Sequence, residues 1–280
     1  DAEHGPSDTQ DLAAQLRAID AAAFNGAKAA GAVRVTANDS GLVKRAMDCG
    51  ARTLVFPNID TAPEAQAAVA SMRFPLPGQP GIRGVAGMVR AGGYGLHADY
   101  VKSANDQACA IVLIESVQGL GNVDAIARVE GVDCLFIGTA DLSASMGYLG
   151  QTTHDAVKAA VDKVLAAARK HGKAVGIFAT SVEEAREYRD KGVCFIALHS
   201  DTGWLGKGAM DALEQAEIYQ KEPMKIRSIQ FTYAQMNEVM KICKKHPITI
   251  VNQVIDNLCT YELTYASRHA AEIDASLDNL

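Results

Sequence analysis

Along most of the chain, short apolar runs alternate with amphipathic stretches. The runs fall at residues 32–35, 53–57, 110–115, 134–138, 174–178 and 194–198. Most are continuously apolar rather than alternating, the pattern of parallel strands covered on both faces. The stretches between them carry helix-start signals. Thr61 with Glu64, Ser181 with Glu184, and Ser7 with Gln10 have capping-box spacing, in which the hydroxyl caps an early N–H and the side chain three residues on reaches back. Leu12, Leu16 and Ile19 then give a buried helical stripe. Gly50, Gly172 and Gly192 each follow a helical stretch and precede a strand, where a C-cap requires positive φ. The repeat of strand, loop, helix, glycine and strand predicts an α/β fold, a TIM-type (β/α)8 barrel with right-handed crossovers. Six such strands are two short of closure. An open doubly wound sheet is the alternative, but no GxGxxG or Walker loop follows any strand. The glycine-rich segment 84–95 reads as a mobile loop at an active site or an interface.

The last quarter of the chain is patterned differently. Pro223 interrupts the helical reading of residues 213–219. Residues 226–231 and 248–254 read as strands, and 233–245 and 259–273 as helices. This divides the chain into a barrel domain, 1–216, and an α/β extension, 217–280. The extension either supplies the two missing βα steps and completes the barrel, or forms a small accessory or oligomerising segment beside a barrel left incomplete at its start. Lys241, Lys244 and Lys245 read as a solvated helix face.

Composition narrows the function classes. The 280 residues suffice for one barrel-sized domain, and the 48% hydrophobic content is ordinary for a globular protein. A net charge of -6 leaves no basic footprint, which argues against nucleic acid and anionic membranes as partners. No apolar run reaches the roughly 18 residues of a membrane span, and the opening residues do not resemble a signal peptide. The six cysteines include no CxxC pair. They read as reduced thiols, with Cys109, Cys134 and Cys194 in or beside strands, and point to a cytoplasmic location.

Candidate chemistry collects at strand ends. Glu115 closes the strand A-C-A-I-V-L-I-E-S, and Asp141 follows F-I-G-T-A just beyond another. A parallel barrel opens both positions onto one rim. Converging carboxylates repel unless a cation, a proton or an arginine compensates them. With oxygen ligands only, Mg²⁺ or Mn²⁺ is the natural cation; helix caps or salt-bridge partners are the other reading. Arg34 lies within the apolar strand A-V-R-V-T, where its charge needs an anionic partner. That partner is either a substrate carboxylate or an acidic side chain such as Asp48 or Glu115. His4, in D-A-E-H-G-P, is either a general base or a hydrogen-bonding residue at a helix start. Arg83 and Arg90 are weaker candidates for phosphate or carboxylate contacts.

D-A-E-H-G-P at 1–6, V-R-V at 33–35, K-R-A-M-D-C-G-A at 44–51, A-I-V-L-I-E-S at 110–116 and F-I-G-T-A-D-L-S-A-S-M-G at 136–147 resemble the HpcH/HpaI aldolase family. Members are class II pyruvate aldolases related to citrate lyase β-type enzymes. I-R-G-V at 82–85, G-V-D at 131–133 and D-T-G-W-L at 201–205 extend the likeness to about residue 216. The resemblance implies a (β/α)8 barrel in a homo-oligomer, usually a hexamer with an exchanged C-terminal helix. The family has a further strand, helix and strand before the D-x-E-H-x-P motif on which this chain starts. By resemblance, Glu115 and Asp141 would coordinate a divalent ion, Mg²⁺ or Mn²⁺ with Co²⁺ as a further option, and Arg34 would meet the substrate carboxylate. His4 with Asp48 would form an acid/base dyad acting through water. Backbone around Ala140 and Asp141 would help seat pyruvate, Glu3 would support the site, and Asp1 matches the acid three residues before the family's histidine. Two positions depart from the pattern. Leu113 stands where the family usually has a pyruvate-contacting Gln, and Thr139 stands where G-P-A-D has proline.

The activity so implied is metal-dependent cleavage of a 4-hydroxy-2-oxo acid to pyruvate and an aldehyde, through an enolate. Alternatives are an oxaloacetate decarboxylase, an acyl-CoA or dicarboxylate lyase of the same superfamily, and an inactive barrel acting as a scaffold.

Overall fold

The computed structural model describes residues 1–6, 8–216 and 223–280. Within them the chain divides into two compact units, Asp1–Asp201 and Thr202–Leu280.

The first unit runs α1 (Thr9–Phe24), β1 (Ala32–Arg34), α2 (Ser40–Asp48), β2 (Thr53–Phe56), α3 (Ala62–Met72), α4 (Tyr100–Ser103) and β3 (Cys109–Ile114). It continues with α5 (Val117–Gly121), α6 (Val123–Ala127), β4 (Val132–Ile137), α7 (Thr139–Ser145), α8 (Asp155–Lys170), β5 (Ala174–Ala179), α9 (Val182–Asp190) and β6 (Phe195–Leu198). All six strands are parallel and pair in chain order, β1-β2-β3-β4-β5-β6. Sequential order is the winding of a barrel; a doubly wound sheet reverses direction at a switch point. The fold is therefore a TIM-type α/β barrel left incomplete, with six strands where closure takes eight.

The apolar runs are continuous because each face of the sheet has its own core. Leu54 and Phe56, Val112 and Ile114, and Leu135 and Ile137 pack outward under the helices. Val55, Ile111, Leu113 and Cys134 pack on the inner face, with Phe136 and Phe195 against them. The predicted caps at Thr61 and Ser181 form, each hydroxyl accepting from the N–H of the glutamate three residues on. Gly50, Gly172 and Gly192 all adopt positive φ. The Ser7 cap lies outside the described residues; Asp8 caps α1, accepting from the Gln10 and Asp11 N–H groups.

The second unit opens with α10 (Asp201–Gln215), which begins on the boundary residue, and then runs β7 (Met224–Phe231), α11 (Met236–Lys245), β8 (Ile248–Val254), β9 (Cys259–Ala266) and α12 (Ala270–Asp278). Its strands form a separate antiparallel sheet of order β7-β9-β8. Among the described residues, no strand of this unit extends the parallel sheet, so the tail does not complete the barrel. The helix expected over 259–273 is also corrected: 259–266 is a strand. Cys259, Tyr261, Leu263 and Tyr265 are buried while Thr260, Glu262 and Thr264 between them are not, a period of two. Only the segment from Ala270 onward is α-helical. Tyr265, Lys225 and Arg227 converge on Asp274 of α12 at 2.5, 2.5 and 2.9 Å, and fasten that helix to β7 and β9. These partners hold the Asp274 carboxyl well below the usual range.

Asp274 is depressed in the folded state, so its contribution to stability is full above the ordinary aspartate pKa of about 4 and is lost as pH falls below it. Asp274→Asn is therefore expected to lower stability at neutral pH and to flatten the acid limb, measured by urea unfolding across pH with far-UV circular dichroism. An unchanged acid limb would remove Asp274 as its source.

Candidate active site

The pleat of the sheet selects which side chains reach the inner face. In β3, Ile111 and Leu113 point inward, so Glu115, two residues on, follows the same face where the strand ends. In β1, Val33 packs outward and Arg34 takes the inner side. A cavity of about 450 Å³ gathers Asp1, His4, Arg34, Leu113, Glu115, Ala140 and Asp141. Val55, Phe136, Phe178, Phe195 and Ala197 supply its apolar wall. The sequence marked these five only as strand residues.

The N-terminal segment reaches the cavity by adding to the outer edge of β1. The Ala2 N–H donates to the Arg34 carbonyl at 2.9 Å, and the Thr36 hydroxyl donates to the Ala2 carbonyl at 2.7 Å. Arg34 then grips both acids of the motif. Its Nε and Nη2 donate to the two Asp1 oxygens at 3.0 and 2.5 Å, and Nη1 lies 3.0 Å from Glu3. Its acidic partners are thus Asp1 and Glu3; neither Asp48 nor Glu115 pairs with it. His4 is 70% exposed at its side chain, with Nε2 3.6 Å from Glu3.

Glu115 is 7% exposed. Its Oε1 accepts from the Asn58 N–H at 2.7 Å. Asn58 has φ of 54°, a left-handed conformation that asparagine tolerates better than most residues. Its role was not legible, because the donor is backbone. Opposite stands Gly138, where an added Cβ would lie 2.7 Å from Glu115 Oε2; glycine keeps that oxygen clear. Burial pushes the Glu115 carboxyl up, the Asn58 N–H works against this, and Asp141 and Glu3 push it further up. Asp141 sits in the first turn of α7, which has no side-chain cap.

Asp48 is not part of this assembly. Helix α2 starts beyond the C-terminal end of β1 and runs back, so its last residue, Asp48, lies toward the N-terminal ends of the strands. There it binds Arg83 at 2.7 Å. Arg83 lines a second cavity with Gly31, Thr53 and Ala108, residues at or just before strand starts. The His4–Asp48 dyad therefore does not form within one chain. The 84–95 segment, expected to be an active-site or interface loop, also borders this second cavity through Arg90 and Ala91.

The donor set suits a divalent cation. Glu115 and Asp141 supply oxygen ligands, Gly138 leaves one oxygen clear, and the Glu115 carboxyl is raised first by burial and further by Asp141 and Glu3, a penalty on its ionised form that a bound cation would relieve. Among the described residues, no group of three or more His, Cys, Asp or Glu side chains makes a ready-formed metal cage, so a cation held here would keep waters. All six cysteines are free thiols; Cys134 and Cys259 are buried and Cys194 is exposed. Burial pushes the Cys134 thiol up to about 12, which makes it a poor nucleophile. No described helix is long and apolar enough to cross a membrane.

A six-stranded, sequentially wound parallel sheet with carboxylates at its C-terminal rim defines an α/β barrel-type protein with an acidic site. Residues 1–207 match the family model for HpcH/HpaI aldolase/citrate lyase, and the chain belongs to that family. It is 49% identical over 216 residues to a hydroxypyruvate/pyruvate aldolase of Paraburkholderia phytofirmans, covering 77% of this chain and 82% of the relative. It is 41% identical over 203 residues to a 5-keto-4-deoxy-D-glucarate aldolase of Shigella boydii, covering 72% and 76%. A crystal structure of an HpcH/HpaI aldolase/citrate lyase family protein from Burkholderia cenocepacia superposes with a TM-score of 0.74 at 48% identity, over 77% of this chain and 83% of that one.

Because Glu115 is raised, the folded state retains a proton that the unfolded chain has lost just above the ordinary glutamate pKa. Stability therefore falls, and cation affinity rises, as pH climbs through that window. Glu115→Gln is expected to melt higher than the parent in chelator at neutral pH and to lose any Mg²⁺-dependent rise in Tm. For the parent, saturation at about 100 times Kd corresponds to roughly 2.7 kcal/mol. A variant that melts lower in chelator and still responds to Mg²⁺ would remove Glu115 from the cation site.

Proposed function

We propose that this protein is a class II aldolase that interconverts a 4-hydroxy-2-oxo acid with pyruvate and an aldehyde. The observation that carries the reading is the shared cavity of Glu115, Asp141, Arg34 and His4. Family membership and the two named aldolase relatives support it. Glu115 and Asp141 would hold Mg²⁺ or Mn²⁺, with Co²⁺ as a further option; when bound, the ion supplies a Lewis acid for the 2-oxo group. Arg34, fixed by Asp1 and Glu3, presents its remaining N–H capacity to the substrate carboxylate. The first-turn backbone at Ala140 and Asp141 offers donors to the same end of the substrate.

In the cleavage direction His4, beside Glu3, takes the 4-hydroxyl proton. The C3–C4 bond breaks, the aldehyde leaves, and the electron pair passes toward the 2-oxo oxygen. A proton delivered to C3 then gives pyruvate. Leu113, buried at the cavity floor, cannot donate to the substrate's oxygens where a glutamine would. Binding then depends more heavily on Arg34 and the acidic pair.

Asp48 can serve His4 only from a neighbouring copy, and we propose a homo-oligomer, a hexamer by family likeness, that brings the two together. Ile82, Val85, Met88, Tyr94 and Leu96 support this as exposed apolar residues within one short segment. A cytoplasmic location accords with the six free thiols.

Titration of oxalate or pyruvate into the full chain is expected to give binding only with Mg²⁺ or Mn²⁺, followed by C3 proton exchange that chelator abolishes. Aldehyde-dependent product formation would then single out the aldolase. Exchange without any aldehyde product would point to a decarboxylase or related lyase, and no binding in either condition to an inactive scaffold. Separately, His4→Ala and Asp48→Asn are each expected to lower turnover about 10²-fold or more. Mixing the two after dissociation and reassembly is expected to restore a fraction of the activity, and an inactive mixture would exclude sharing of the dyad between copies.

A further inference from the structure

We propose that the cavity at the N-terminal ends of β1, β2 and β3 is a second binding site, for a small oxyanion carrying two or more negative charges. At about 560 Å³ it is larger than the candidate active site. Its wall carries three arginines, Arg52, Arg83 and Arg90. A crevice that shares Arg90 adds Arg17 and Arg45. Among the described residues only two carboxylates pair with this set: Asp48 with Arg83, and Asp20 with Arg90. Arg17, Arg45 and Arg52 have no ion-pair partner among the described residues. Three guanidinium groups and one carboxylate, Asp20, line the cavity itself, and the adjoining crevice adds two guanidinium groups and Asp48, which makes this a positive region on a chain whose net charge is -6.

Arg83 is the strongest part of the case. Its side chain is 1% exposed, stacks over Phe74 at 4.4 Å, and donates through Nη2 to Asp48 and to the Tyr100 hydroxyl at 2.7 and 2.9 Å. Its buried Nε has no partner. A buried guanidinium left partly unsatisfied costs free energy, and neighbouring cations raise that cost unless an anion joins them. Arg90 is held in place by a donor bond to the Cys49 carbonyl at 2.7 Å. It lies so close to Gly50 that a Cβ there would come 2.3 Å from its Nη1. Planar forks fixed in this way match the paired oxygens of carboxylates and phosphates. Within one chain the site stands at the opposite end of the strands from Glu115 and Asp141, and it needs no metal; in the oligomer proposed above, its Asp48 side would adjoin the His4 rim of a neighbouring copy.

The test uses the full chain carrying Glu115→Gln, in chelator, so that the candidate active site does not contribute. Inorganic phosphate and citrate are titrated separately by calorimetry, and the bound state is mapped by hydrogen exchange. The expected result is saturable binding of one or both anions, with protection at residues 83–108. Binding of phosphate alone would assign a phosphoryl ligand, and of citrate alone a polycarboxylate. Arg52→Gln, an exposed and unpaired position, is expected to weaken binding about tenfold, the worth of one charge-assisted hydrogen bond. No saturable heat from either anion at millimolar concentration, an unchanged affinity in Arg52→Gln, or protection confined to residues 113–141 would each overturn the proposal.

Discussion

Everything at the acidic rim depends on the pleat of one parallel sheet. Because side chains alternate across a strand, the residues that anchor the outer core, Val112 and Ile114, leave Leu113 and Glu115 on the inner face. A slip of one residue in β3 would send Glu115 under the helices, where its charge has no partner. The two apolar cores are therefore also the device that aims the carboxylate. They supply the rigidity that a charge buried to this degree requires, since burial and neighbouring acids both work against its ionised form.

Charge is arranged along the strand axis. At the C-terminal ends, Asp1, Glu3, Glu115 and Asp141 stand around one arginine, Arg34. Arginines dominate the other end, around Arg83 and Arg90. Each end holds an arginine paired to carboxylates, but with opposite imbalance: the first has acid to spare for a cation, and the second has guanidinium to spare for an anion. Only the first is the site of the reaction proposed above.

The six parallel strands could be read closely from sequence because their apolar runs are continuous and bounded by caps and glycines. Strand 259–266 could not. C-T-Y-E-L-T-Y-A alternates and carries the strand formers Thr and Tyr, but the helical run A-A-E-I-D-A-S-L-D that follows draws one helix across both, and pairing with β7 and β8 decides the strand. Of the site residues, Arg34, Leu113, Glu115, Ala140, Asp141 and His4 meet in one cavity. The partners of Arg34 were not legible, because Asp1 and Glu3 reach it only through the edge contact of Ala2 with β1. The predicted strand–helix–strand order already sends α2 back toward the N-terminal ends of the strands, away from His4, so motif likeness alone joined Asp48 to His4.

The backward course of α2 has a kinetic consequence. If a proton relay needs the end of one copy against the rim of another, the rate per molecule is no longer a constant of the chain. It becomes a function of protein concentration, falling on dilution as assemblies come apart. Such an enzyme would report its own abundance through its specific activity.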